Sequence, residues 1–111
     1  MNDTEFVFVY STLPDTGSAQ KIAEAVVAER LAACANIHSA MTSVYEWDGA
    51  MKAESEVALF IKTRSVLAQQ VIMTARPLHP YAVPCFLILP VSGGNADYLD
   101  WARQQTTAPI S

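Results

Sequence analysis

Soft donor atoms are sparse in this chain. His79 and Cys85 stand six residues apart, a spacing that matches no compact metal-ligand motif, so a site shared between them depends on the fold. His79 sits in a proline-bounded turn (Leu78-His79-Pro80-Tyr81). Two readings stay open there: a packed, hydrogen-bonded imidazole that fixes the turn, or a metal ligand or pocket residue. Cys34 and Cys85 read as small buried hydrophobes or as soft ligands for Cu(I). Met41, Met51 and Met73 add soft sulfur on three different elements, where core or interface filling explains them. Glu56 and Lys62 flank an apolar segment, as an ion pair at a subunit boundary or as part of an anion site. Tyr45, Trp47, Tyr81, Tyr98 and Trp101 supply aromatic surface for a cleft or for interface anchors.

Catalytic constellations are missing. The sequence has no glycine-rich phosphate loop, no Gly-x-Ser-x-Gly elbow and no His-Glu-x-x-His pair. Asp97 and Asp100 pair two carboxylates, but at a helix start, where acidic charge complements the dipole. The expectation is a protein that is not an enzyme.

The elements that must position these residues follow from periodicity. Glu5–Tyr10 is a continuous β-branched and aromatic run, a strand buried on both faces. Asp15, Thr16 or Ser18 caps a helix in which Ala19, Ile22, Ala23, Val26, Val27 and Leu31 recur at helical spacing, ending near Ala33. Residues 35–47 are extended, with Ile37, Met41, Tyr45 and Trp47 on one side, and Asp48-Gly49 marks a tight hairpin. The return limb is Glu56–Lys62. A second helix, capped by Ser65 or Thr63, runs to Ala75, where Pro77 and Pro80 stop it. Cys85–Leu89 forms a third apolar strand, and Asn95 caps a short last helix. Thr106–Ser111 is expected to fray. The order β-α-β-β-α-β-α specifies one α+β domain, residues 1–111, on the ferredoxin-like plan. In the strand order 4-1-3-2, the two cysteines start opposite edges, three gaps of ~4.8 Å apart and too far for a bridge.

Composition limits the function classes. Half of the 111 residues are apolar (51%), 16% are charged, and the net charge is −4. The seven basic residues form no cluster, which sets nucleic acid aside. The acidic start Met1-Asn2-Asp3-Thr4-Glu5 is unlike a secretory leader, and no apolar run approaches a membrane span, so a cytoplasmic protein with reduced thiols is expected.

The strands also demand a partner. Three of them are apolar on both faces, whereas a lone ferredoxin-like subunit leaves one sheet face to water. Residues 35–47 would span about 43 Å at ~3.3 Å per residue, beyond an ordinary strand, so the hairpin projects and offers its edge to a neighbour. The pattern does not choose the number of copies.

An ordered series of motifs now becomes specific. It comprises Ser11-Thr12-Leu13-Pro14-Asp15, then Glu29-Arg30-Leu31-Ala32-Ala33-Cys34-Ala35-Asn36, then Ser43-Val44-Tyr45-Glu46-Trp47-Asp48-Gly49. Glu56, Ile61-Lys62-Thr63, Leu78-His79-Pro80-Tyr81 and Val83-Pro84 follow, and Asn95–Trp101 closes the set. From about Glu5 to Gln105 the chain resembles the divalent-cation-tolerance (CutA) family. The resemblance implies a homotrimer built through long hairpins, a likeness to PII-type signalling trimers, and divalent-cation tolerance with copper as a candidate ion. It also implies where this chain departs. Ser11 stands where members with proposed copper ligands carry Cys, and Leu78-His79 replaces a His pair. Ala82 and Cys85 replace glutamates beside Val83-Pro84. His79 and Cys85 are thus the candidate metal residues, and Trp47, Glu56, Lys62, Tyr81 and Trp101 the candidate cleft. The alternative is a trimer whose intersubunit clefts take a small anionic metabolite or a protein partner.

Overall fold

The computed structural model describes residues 4–111, so the acidic start at Met1–Asp3 lies outside the described residues. Four strands and three helices follow in the order expected: β1 (Phe6–Leu13), α1 (Thr16–Ala28), β2 (Cys34–Trp47), β3 (Ala50–Arg64), α2 (Ala68–Ala75), β4 (Leu87–Val91) and α3 (Ala96–Gln105). Short 3₁₀ turns, Ser65–Leu67 and Arg76–Leu78, flank α2. The sheet order is β2-β3-β1-β4 with every neighbouring pair antiparallel, the ferredoxin-like arrangement.

Alternation along β1 and β3 separates the two faces of the sheet. Val7, Val9 and Leu13 from β1 join Val57, Leu59 and Ile61 from β3. With Ala19, Ile22 and Val26 of α1 and Val71 and Ala75 of α2 they form the main core. The opposite face carries Phe8, Tyr10 and Phe60, which stack edge-on or tilted at 5.2–6.2 Å and stay half-buried. Along β4, Leu87, Ile88 and Leu89 are 56%, 41% and 41% exposed. Within one protomer these strands are therefore sealed on one face only, and the second is left largely uncovered. Only one end of the open face is covered, where Leu99 and Ala102 of α3 pack with Phe6, Ala33 and Val91.

Several boundaries move for identifiable reasons. Asp15 is the N-cap of α1, its carboxylate accepting from the Ser18 amide at 2.8 Å. The helix ends at Ala28, not near Ala33. Arg30 adopts φ +62°, its N–H donates to Val27, and the Leu31 N–H donates to Val26. This is a Schellman turn with arginine at the left-handed position, and the buried Leu31 belongs to the turn. Neither Ser65 nor Thr63 caps α2, since no side chain bonds that terminus and the Thr63 hydroxyl donates to the Leu31 carbonyl instead. Asn95 occupies the N-cap position of α3, but its side chain accepts no helix amide and instead donates to the Asp97 carboxylate, 2.7 Å away. Cys85 and Phe86 precede β4, which begins at Leu87.

The tail corrects another expectation. Thr106 is fully buried, donates to the Ala102 carbonyl at 2.8 Å and accepts from the Arg64 guanidinium at 3.0 Å. Beyond it, Ala108 N–H donates to the Arg30 carbonyl, and the Gln70 amide bonds Pro109 and Ser111 from its two ends. The last six residues are strapped down.

The hairpin projects as its length requires, and the molecule measures 45 × 28 × 25 Å. Asp48 (φ +51°) and Gly49 (φ +76°) make a two-residue turn between the paired Trp47 and Ala50, the sign pattern of type I′. β3 starts at Ala50, six residues before the expected return limb. Between His38 and Met41 the register of β2 slips, so that Ser39 and Ala40 together oppose Val57, with Ala40 at φ +66°. Ile37 consequently pairs with Leu59, while Met41 pairs with Glu56. Residues 37 and 41 fall on opposite faces, contrary to simple alternation.

Candidate functional site

The loop from His79 to Phe86 crosses the end of β1 and is anchored by one imidazole. Nε2 of His79 lies 2.9 Å from the Thr12 carbonyl oxygen and 3.2 Å from Ser11 Oγ. Nδ1 faces the Tyr81 amide nitrogen at 3.2 Å. A carbonyl can only accept and an amide N–H can only donate, so the hydrogen is on Nε2 and the lone pair on Nδ1. The ring packs against Tyr81 and Phe86 at 5.0 and 5.5 Å. Burial pulls its pKa below the usual imidazole value, against smaller opposing effects of the Thr12 bond and the Glu56 charge. His79 is therefore a neutral, fully bonded latch in this arrangement.

Beside the latch opens a cleft of about 570 Å³ between the base of the hairpin and residues 80–85. Register places Tyr45 on the same side of the hairpin as Glu54 and Glu56. The Tyr45 hydroxyl donates to Glu54 Oε1 and the Tyr81 hydroxyl to Glu56 Oε2, each at 2.6 Å. These lengths are those of charge-assisted bonds. The phenols are held neutral accordingly: the Glu54 bond raises the pKa of Tyr45, and burial, then the Glu56 bond, raise that of Tyr81. Trp47, Val44, Pro80 and Val83 add apolar wall, and Cys85 lines the floor. Burial, then the Glu56 charge, push the Cys85 thiol up, which keeps it protonated.

Of the residues singled out in the sequence, Trp47, Glu56, Tyr81 and Cys85 share this cleft, with His79 behind Tyr81. Lys62 and Trp101 do not. The Lys62 ammonium sits 5.6 Å above the Tyr98 ring, which in turn stacks on Trp101 at 5.6 Å, beside α3. Ser11 is buried under His79, and Leu78 is 42% exposed. Glu54 was not anticipated. Its signal lay in the alternation Glu54, Glu56 across from Tyr45, readable only once the β2 register is known.

Copper and other divalent ions find a poor fit within one protomer. Both His79 nitrogens are engaged, the Cys85 thiol is protonated, and both cleft carboxylates already hold phenols. Among the described residues no group of three or more His, Cys, Asp or Glu side chains is placed to hold an ion. Cys34 and Cys85 are both free thiols.

The family model described as CutA1 divalent ion tolerance protein matches residues 7–105. The chain belongs to the CutA1 divalent ion tolerance family. It is 42% identical over 98 residues to the divalent-cation tolerance protein CutA of Thermus thermophilus, covering 88% of this chain and 95% of that protein. It is 45% identical over 97 residues to human Protein CutA, with 87% of this chain aligned. The chain spans about half the length of the human, mouse and Arabidopsis CutA relatives (54%, 55% and 55%). Among solved structures, CutA1 from the psychrotrophic bacterium Shewanella sp. SIB1 superposes with a TM-score of 0.90 at 33% identity, covering 95% of this chain and 98% of that one. Compartments differ among CutA relatives: the Arabidopsis protein is named chloroplastic and the Archaeoglobus fulgidus structure is described as periplasmic. Among the described residues no helix is long and apolar enough to cross a membrane.

Proposed function

We propose that this chain acts in divalent-cation tolerance as a homotrimer, meeting copper or another divalent ion weakly at subunit boundaries and not in a closed site of one protomer. The observation that carries the assembly is the uncovered apolar edge. β4 leaves Leu87, Ile88 and Leu89 exposed, and no residue from Cys34 to Ser55 is buried. An unpaired apolar edge invites a neighbouring chain, and closed symmetry is the arrangement that uses up every such edge. Membership of the CutA1 family supports the metal role. The free thiols Cys34 and Cys85 accord with a cytoplasmic setting.

Light scattering tests the assembly. The full chain is expected at the mass of three copies, and deletion of Trp47–Met51 is expected to lower it; an unchanged trimer after the deletion rejects assembly through the hairpin. Calorimetric titration with Cu(II), and with Cu(I) under reductant, tests the ion. Binding that is unaltered by both His79→Ala and Cys85→Ala removes these two residues from the metal role. A PII-like trimer taking an anionic metabolite meets Glu54 and Glu56 in the cleft, which repel such a ligand.

A further inference from the structure

We infer that Lys62 is completed by a second copy of this chain, which brings the Glu54 carboxylate of its projecting arm to the Lys62 ammonium. The contact rests on the homotrimer proposed above and names one ion pair that holds neighbouring copies together.

Alternation puts both residues on one face of the sheet. β3 pairs without interruption against β1, and the surplus residues of the bulge belong to β2, so the even-numbered side chains of β3 share a side. Phe60 is among them and stacks with Phe8 and Tyr10, which marks this side as the open face, away from α1 and α2. Glu54 and Lys62 stand eight residues apart on it, about 26 Å at ~3.3 Å per residue. One chain cannot bring them together.

Lys62 lacks an anion where it will need one. Its ammonium lies 5.6 Å above the Tyr98 ring, and among the described residues no carboxylate forms an ion pair with it. Phe8 is its neighbour across the sheet, with the 41% exposed Leu89 beyond. A copy that covers this apolar belt also takes the half-buried ammonium out of water. A desolvated ammonium without a counter-charge is costly, and one aromatic face offsets only part of that cost. The covering surface must therefore bring a carboxylate.

Few acids are free to serve. Glu5 and Asp100 hold Arg103, Asp15 caps α1, and Asp97 accepts from Asn95 and the Tyr98 amide. Glu24 and Glu29 belong to α1 and its C-cap, on the helix side of the sheet. On the arm, Glu46 pairs with Met51 on the opposite face, Asp48 makes the tip turn, and Glu56 is buried against Tyr81. Glu54 is exposed, shares the open face, and accepts from Tyr45 on Oε1 alone. With Lys52, Glu54 and Glu56 the arm keeps a net negative charge on this face. In a closed ring each copy gives its arm to one neighbour and its Lys62 corner to the other.

The test is carbodiimide coupling of the full native chain, which joins an amine to a carboxylate without a spacer. A Lys62–Glu54 cross-linked peptide is expected from the covalent oligomer. In parallel, Lys62→Gln and Glu54→Gln should each weaken the trimer about tenfold or more in sedimentation at falling concentration. Lys62→Glu and Glu54→Lys should each weaken it further, and the two combined in one chain should recover much of that loss. The coupling of the unmodified protein keeps the outcome readable where a variant folds poorly. A trimer in which Lys62 couples to a different carboxylate or to none overturns the inference and leaves the assembly standing. So does a charge-reversed double variant no more stable than the sum of its single changes predicts. A chain that stays monomeric at high concentration overturns both the ion pair and the trimer.

Discussion

The two faces of the sheet differ in how they satisfy their polar atoms, and the projecting hairpin carries that difference outward. Under α1 and α2, every buried position is apolar or tied to a fixed partner: Thr63 to Leu31, Ser11 to His79, His79 to Thr12 and Tyr81. From Cys34 to Ser55 nothing is buried; the exposed Glu54 accepts from Tyr45 on the arm, and the buried Glu56 at its base accepts from Tyr81. The sealed region spends its polar groups on structure. The projecting region leaves its polar groups largely to solvent.

The largest expected effect lies in the sealed region. Leu59→Ala, at a fully buried position, should destabilise by about 2–5 kcal/mol in urea unfolding, through lost burial and the cavity left behind. A cost below ~1 kcal/mol would deny that β3 is the centre of the core. Next comes His79→Ala, which leaves the Thr12 carbonyl, Ser11 hydroxyl and Tyr81 N–H without their partner. Its expected cost is about 1–3 kcal/mol. His79→Gln, able to donate at one end and accept at the other, should recover part of it.

The same imidazole gives a pH signature. Burial depresses its folded pKa, so below the ordinary imidazole pKa of about 6.5 the unfolded chain takes up a proton that the folded chain refuses. Stability from this group is complete above that value and is lost as pH falls toward the folded pKa. Melting temperature should drop between about pH 7 and pH 5, more steeply in the parent than in His79→Gln. Parallel slopes in the two proteins would assign the acid sensitivity elsewhere.

Smaller effects belong to the hairpin. Gly49→Ala should cost about 1 kcal/mol, from backbone conformation alone, because a Cβ there meets nothing within 4 Å. Val44→Ala, at 67% exposure, should change the stability of an isolated chain by less than about 0.5 kcal/mol. A protein-concentration-dependent loss well above that would mean Val44 is covered in an assembly, and would blur the contrast between the two regions in the most informative way.

Much of this contrast is legible in the sequence. Alternation and helical spacing specify the element order, Asp48-Gly49 specifies the turn, and strand length specifies the projection. What escapes does so because an ordinary side chain holds an unusual backbone. Arg30 ends α1 in the left-handed region where glycine is the readable signal, and Ala40 opens the bulge with no glycine or proline to announce it. The tail escapes for another reason. Thr106, Ala108 and Gln70 become informative only when Arg64 and Arg30 are brought beside them from distant parts of the chain. Residue types pointed to Trp47, Glu56, Tyr81 and Cys85, which one protomer brings into this cleft, and to Lys62 and Trp101, which it sets beside Tyr98 of α3 instead.

The slip at Ser39-Ala40 has a consequence for the chemistry of the arm. With strict one-to-one pairing from Cys34 onward, Tyr45 would stand opposite Met51 and turn its phenol away from Glu54. One surplus residue rotates the outer half of β2 by half a turn, and so decides which letters of the sequence meet. An arm shortened by Ala40 would set Ser39 alone against Val57 and keep Met41 opposite Glu56, so its donors and acceptors would stay matched; the surplus residue parts them only where the bulge fails to absorb it.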